Sequence, residues 1–400
     1  MSGQRPADRA TGRGHSAWIA AALLIVGVGL QFETSRAQEF VKSVDRVTHV
    51  GRLSHDARTG YLRALLDALN ISADSQLLVF SRTGVQHAYT GPRTPRALYF
   101  DESIAVGYVP GAPQIEIIAR DPVEGLAFYT IDQNTAVPTP VRQHSCLGCH
   151  ESASTRDVPG FIVRSHGVDD QGNVLPEPAA HDVNHQTPHP DRWGGWFVTL
   201  EGLPAPYSQR GHQGNITFTP QGHTSSQVFV DWTDSAPATR GYLSGSSDIM
   251  ALLAFDHQMP AINLMTRLDF QWRRGSGAGH ASVDDPAVRD LVDELAGYLL
   301  FANEAALPVP LKPLPGFASA LAARVPKDSR GRSLAQLDGV NRLLRYPCSY
   351  MVYSEAFDGL PAPIKQAVYQ RMIEILPAAQ RVAILEILRD TKPDFPRGPL

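Results

Sequence analysis

Five short β-rich runs follow one another between residues 76 and 131, and they constrain the fold more than any other feature of the chain. They are QLLVF (76–80), ALYF (97–100), IAVGYV (104–109), QIEIIAR (114–120) and GLAFYTI (125–131). Their β-branched and aromatic residues suit a pleated, half-buried surface. Gly and Pro clusters such as VPGAP (109–113) separate them. Just upstream, RTGYLRALLDALN (58–70) puts Leu62, Leu65, Leu66 and Leu69 on one helical face, with Asn70 as the stop.

The pattern changes at about residue 246. SDIMALLAFDHQ opens a helix with Ser247 or Asp248 as cap. DDPAVRDLVDELAGYLL offers Asp285 as N-cap and Pro286 at the first helical position. SLAQ (333–336) matches a capping box of Ser333 and Gln336. Two more helices are expected over 362–376 and 378–389, ending before Pro393.

Between these halves, residues 132–245 carry little regular signal. Strand candidates there are GFIVR (160–164), GWFVTLE (195–201) and SQVFVDW (226–232), and 165–192 reads as long loop. Loops of that length in a compact domain are often functional or ligand-supported. The expected class is therefore α+β. A β-rich N-terminal half spans 38–135, a loop-rich middle segment 136–245 and a helical C-terminal half 246–400.

Residues 1–37 are read apart from the fold. Arg5, Arg9 and Arg13 precede the uncharged run AWIAAALLIVGVGL (17–30), and Ser35 and Ala37 suit a cleavage point after Ala37. This is a signal-peptide pattern and implies a periplasmic or otherwise exported protein. The apolar run is shorter than the roughly 20 residues that span a bilayer, and no later segment is long and apolar enough, so no membrane span is expected after cleavage. An uncleaved N-terminal anchor is the alternative. The net charge of −4 gives no ground for a nucleic-acid partner.

Export bears on the three cysteines, Cys146, Cys149 and Cys348. The first two lie in SCLGCHES, which contains C-x-x-C-H, the pattern of c-type haem attachment. Two thiols add across the two vinyl groups of a haem, and the following histidine reaches the iron. Cys146, Cys149 and His150 are thus the expected sites of one covalent haem c. A zinc site would want a second Cys or His pair. A thioredoxin-like dithiol would lie between a strand and a helix, and TPVRQHS does not read as a buried strand. A simple disulfide or a chance match is the bland reading. Cys348, in RYPCSY, reads as a buried structural thiol.

The iron's other face is less constrained. No Met lies between residues 151 and 249, so a small soluble cytochrome c domain is not expected. His257 and Met259 stand beside Pro260, a helix-kinking residue that would aim a side chain into a pocket. They are the distal candidates, with His212 next and a five-coordinate iron as a further possibility. His181, His185 and His189 recur every four residues, but Pro188 and Pro190 break a helix there, so solvated loop histidines are expected. Trp193 and Trp196 are candidates for packing on the haem, and Arg142, Arg164 and Arg192 for its propionates.

The stretches LVFSRTGVQ, PRTPRALYF, SCLGCHESASTRDVPGFIVRS, RWGGWFVT, SDIMALLAFDHQ and RYPCSYMVYSEAF, spread over about 75–390, resemble the large exported bacterial proteins known only as cytochrome c domain-containing. The resemblance implies covalent haem on Cys146 and Cys149 with His150 on iron, and it slightly favours His257. It brings no settled reaction. The expected role is electron transfer by one haem, with other redox proteins as transient partners. The alternatives are a peroxidase-like haem enzyme, suggested by the length of the chain, and a haem-based ligand sensor.

Overall fold

The β-rich runs form consecutive antiparallel neighbours; the last four are joined by short turns at 101–103, 109–113 and 122–124, whereas a longer link, 80–95, leads from the first to the second. The computed structural model describes residues 42–176, 180–199, 216–219, 222–225, 241–307, 310–312 and 315–398. Strands β1 (Leu77–Val79), β2 (Arg96–Phe100), β3 (Ile104–Tyr108), β4 (Gln114–Asp121) and β5 (Gly125–Asp132) make a meander. Short β6 (Val141–Arg142) borders β5, and β9 (Trp196–Phe197) returns to pair with β1, giving the order β6-β5-β4-β3-β2-β1-β9. The turn between β4 and β5 requires Gly125. Its φ is +85°, and a Cβ there would stand 2.6 Å from Thr266.

The period-2 pattern gives the sheet two apolar faces. On one, Leu78, Ala97, Tyr99, Val106, Ile117, Tyr129 and Ile131 pack with Leu62, Leu65 and Leu66 of α2 (Leu62–Ala68). That helix stops as expected, with Asn70 at φ +51°. On the other, Leu77, Val79, Phe100, Ala105, Leu126, Phe128 and Trp196 join the core of the C-terminal half. One core thus takes residues from all three sequence segments. The architecture is α+β, with an antiparallel sheet first and helices after it.

Helix α4 (Ile249–Gly277) is the centre of that second core, buried almost continuously from Ile249 to Asp269. Asp248 caps it by accepting from the Met250 N–H at 3.0 Å. It runs on through Pro260. Proline removes the N–H that would have met the Asp256 carbonyl. The Tyr298 hydroxyl replaces that donor in part, reaching the carbonyls of His257 (3.1 Å) and Asp256 (3.5 Å). Tyr298 lies on α5 (Pro286–Leu299), which Asp285 caps as expected. After the shorter α6 (Pro315–Arg324) and α7 (Glu355–Asp358), the helices α8 (Ala362–Ile375) and α9 (Ala378–Thr391) lie where the pattern put them. No helix forms at SLAQ. Ser333 accepts from the Ala335 N–H in an isolated turn, and Leu334 and Ala335 are buried. The motif supplies a local turn, but no apolar periodicity follows it to propagate a helix.

GFIVR and GWFVTLE contribute only the two-residue strands β7 (Arg164–Ser165), which pairs with β8 (His181–Asp182), and β9. SQVFVDW, residues 1–37 and His212 lie outside the described residues. Among the described residues no helix is long and apolar enough to cross a membrane.

Candidate functional site

Cys146 to His150 form a single turn, α3 (Leu147–His150), closed by the His150 N–H to the Cys146 carbonyl at 3.0 Å. Residues three apart on a turn share a side, so the two thiols are neighbours. Both are free, Cys146 half-buried against the core and Cys149 exposed. Burial raises the Cys146 thiol above its ordinary range, and the nearby Glu116 carboxylate adds to it.

The His150 ring lies 4.9 Å from the Phe128 ring, on the core face of the sheet. Its Nδ1 meets the Gly160 carbonyl at 2.9 Å. A carbonyl only accepts, so Nδ1 carries the proton and Nε2 keeps a bare lone pair. Metal-binding histidines are oriented in this way. Burial lowers the basicity of His150, the Gly160 bond opposes that, and Arg96 and Arg164 lower it further. The ring is therefore held neutral, the form that ligates a metal.

The Gly160 carbonyl is itself fixed. The Gly160 N–H returns to the His150 carbonyl at 2.8 Å. Next along, Asn263 of α4 grips Phe161 from both sides: its Oδ1 accepts the Phe161 N–H and its Nδ2 donates to the Phe161 carbonyl, each at 2.8 Å. Only glycine fits beside this grip, because a Cβ at 160 would stand 2.6 Å from Asn263 Oδ1 and 2.7 Å from Thr155 Cβ.

Beside the motif the sheet face stays partly open. Leu98, Ile118, Cys146 and Leu147 pack on the core without full burial. Gly107, between Leu98 and Glu116 in register, adds no side chain to this floor. Arg96 and Glu116 border it, 3.7 Å apart. Arg96 Nε, Glu116 Oε1 and His166 Nδ1 are buried without hydrogen-bond partners among the described residues. Burial, then Arg164, lowers the basicity of His166. These groups fit a covalent haem: two free thiols on one turn, a bare imidazole nitrogen, an apolar floor, and a guanidinium whose buried Nε has no hydrogen-bond partner among the described residues. For a bare metal ion, no cluster of three or more His, Cys, Asp or Glu exists among the described residues.

The other residues singled out in the sequence fall in different places. Arg142 pairs in register with Tyr129, so it stands on the sheet face opposite Phe128 and His150. There it bonds Glu124 (2.7 Å) and the Tyr129 hydroxyl (3.2 Å), which corrects its assignment to a propionate. Arg164 is near enough to act on His150, and it bonds Asp182 and Ser154. The Trp196 indole, on the His150 face, donates to the Arg164 carbonyl at 2.8 Å. Trp193 points elsewhere and donates to buried Asp256 at 3.0 Å. Arg192 pairs with the same carboxylate at 3.3 Å, so it too is committed inside the core.

His257 belongs to that buried cluster. Its Nδ1 meets His185 Nδ1 at 2.9 Å and its Nε2 meets Ser349 Oγ at 2.6 Å. Its ring stacks on Phe301 and Tyr298. Both nitrogens are thus occupied. Met259 and Cys348 are wholly buried core residues. His185 and His189 are 3% and 4% exposed, not solvated as expected. The loop that carries them is drawn inward by Arg192, which donates to the His185 and Thr187 carbonyls. Burial lowers both histidines to about 4.

Sequence reading missed Gly160, Asn263, Arg96, Glu116 and His166. Arg96 and Glu116 carried a weak signal, as charges inside strand patterns. No family model matches this chain, nor does any curated protein or solved structure.

Proposed function

We propose that this chain is an exported monohaem c-type cytochrome, with haem on Cys146 and Cys149 and His150 on the iron, that passes electrons to other redox proteins in transient contacts. The observation that carries the reading is the His150–Gly160 bond, which leaves Nε2 bare on the turn that bears two free thiols. Bound haem would supply a one-electron couple. Phe128, Leu98 and Ile118 would exclude water from its buried edge. Arg96 and Arg164 would offset the propionate charge. Export rests on the leader pattern of residues 1–37.

A second reading, a haem enzyme or ligand sensor with an open sixth position, is favoured by one observation. Both nitrogens of His257 are occupied, and Met259 is enclosed in the core. Absorption spectra of protein made in a host that matures c-type cytochromes separate the two. A six-coordinate low-spin spectrum unresponsive to carbon monoxide supports electron transfer. A high-spin spectrum that responds to carbon monoxide supports the second reading. Absence of haem bands contradicts both.

A further inference from the structure

Asn263 is a buried polar residue in the middle of an otherwise apolar stretch of α4, 3% exposed. A lone carboxamide in such a core costs stability unless every donor and acceptor is used. Here Oδ1 and one Nδ2 hydrogen are both spent on the two backbone groups of Phe161. No other side chain of the same size offers a donor and an acceptor side by side in neutral form. The gripped peptide is the neighbour of Gly160, whose carbonyl orients His150. A leucine would fill the space at Asn263 and leave both Phe161 groups unpaired.

We infer that Asn263 is the positioning residue of the iron ligand, acting on His150 through the backbone of Gly160 and Phe161. The inference rests on the haem reading above. A firm Nδ1–H···O=C bond raises the basicity of the imidazole toward the iron. That favours the oxidised iron, so loosening the bond raises the midpoint potential.

The test is redox titration of matured protein, after mass measurement has shown haem on wild type and variants. Asn263→Leu should carry haem and titrate at a more positive potential than wild type. Asn263→Asp keeps the acceptor for the Phe161 N–H and should shift less in the same direction. It also covers the case in which Asn263→Leu does not fold. Met250→Ala, cut into the same helix where it packs near Gly339, should lower thermal stability and leave the potential unchanged. A wild-type potential in both Asn263 variants overturns the inference, as does an equal shift in Met250→Ala. Wild-type protein without covalent haem removes the function reading itself, a distinct result visible before any titration.

Discussion

His150 and Gly160 hold each other by two hydrogen bonds, ring Nδ1–H to carbonyl at 2.9 Å and backbone N–H to carbonyl at 2.8 Å. The pair spans ten residues and turns the motif back onto the sheet. Replacing Gly160 by Ala forces a methyl against Asn263 Oδ1 and Thr155. Overpacking of this kind costs about 1–3 kcal/mol. Urea unfolding should show that loss, and the haem spectrum should change with it.

His257→Ala should behave differently. It leaves Ser349 Oγ and His185 Nδ1 buried without their partner and opens a cavity beside Phe301. A loss of about 2–5 kcal/mol is expected. The absorption bands of the haem should stay as in wild type, because His257 is committed away from the iron. A changed spin state in this variant would restore His257 as a ligand.

His185 makes the fold sensitive to acid. Its basicity is lowered to about 4 by burial, against an ordinary value of 6.5. Below pH 6.5 the unfolded chain binds this proton and the folded one does not, so stability falls as pH drops toward 4. Relative to His185→Gln, wild type should lose about 2 kcal/mol between pH 7 and pH 5. Denaturant midpoints at the two pH values measure this, and an unchanged gap contradicts it.

Arg192 and Asp256 form an ion pair within the core, 1% and 0% exposed. Burial pushes the Asp256 carboxyl up to about 7, and Arg192 and the Trp193 indole oppose that. Arg192→Met strands the carboxylate and should cost about 3–5 kcal/mol. The double variant Arg192→Met/Asp256→Leu should recover only the share due to the stranded carboxylate, because the His185 and Thr187 carbonyls and the Trp193 indole also lose their partners; a double-mutant cycle measures the coupling.

The elements were legible in the sequence wherever one local rule governed them. The strands from Leu77 to Asp132 followed runs rich in β-branched and aromatic residues, and the helices at Leu62, Ile249, Pro286, Ala362 and Ala378 followed caps and periodicity. SLAQ misled because a capping box describes only the first turn. The C-x-x-C-H spacing of Cys146–His150 is a local pattern that the sequence displays by itself, and the structure winds it into one turn with both thiols free. Its supports are not displayed in this way. Asn263 reaches Phe161 across 102 residues, and no local pattern encodes such a pairing. Arg142 was misplaced by proximity in sequence, since strand alternation turns it to the other face of the sheet. His181 is exposed, as loop histidines usually are, but Arg192 draws the part of the loop with His185 and His189 into the core.

The proposed function stands on haem bound at Cys146 and Cys149. Intact mass under denaturing conditions reads this out, on protein matured by a c-type cytochrome host, beside Cys146→Ser/Cys149→Ser. One haem mass should be added to the wild-type polypeptide and none to the variant. Bare polypeptide mass in both would contradict it.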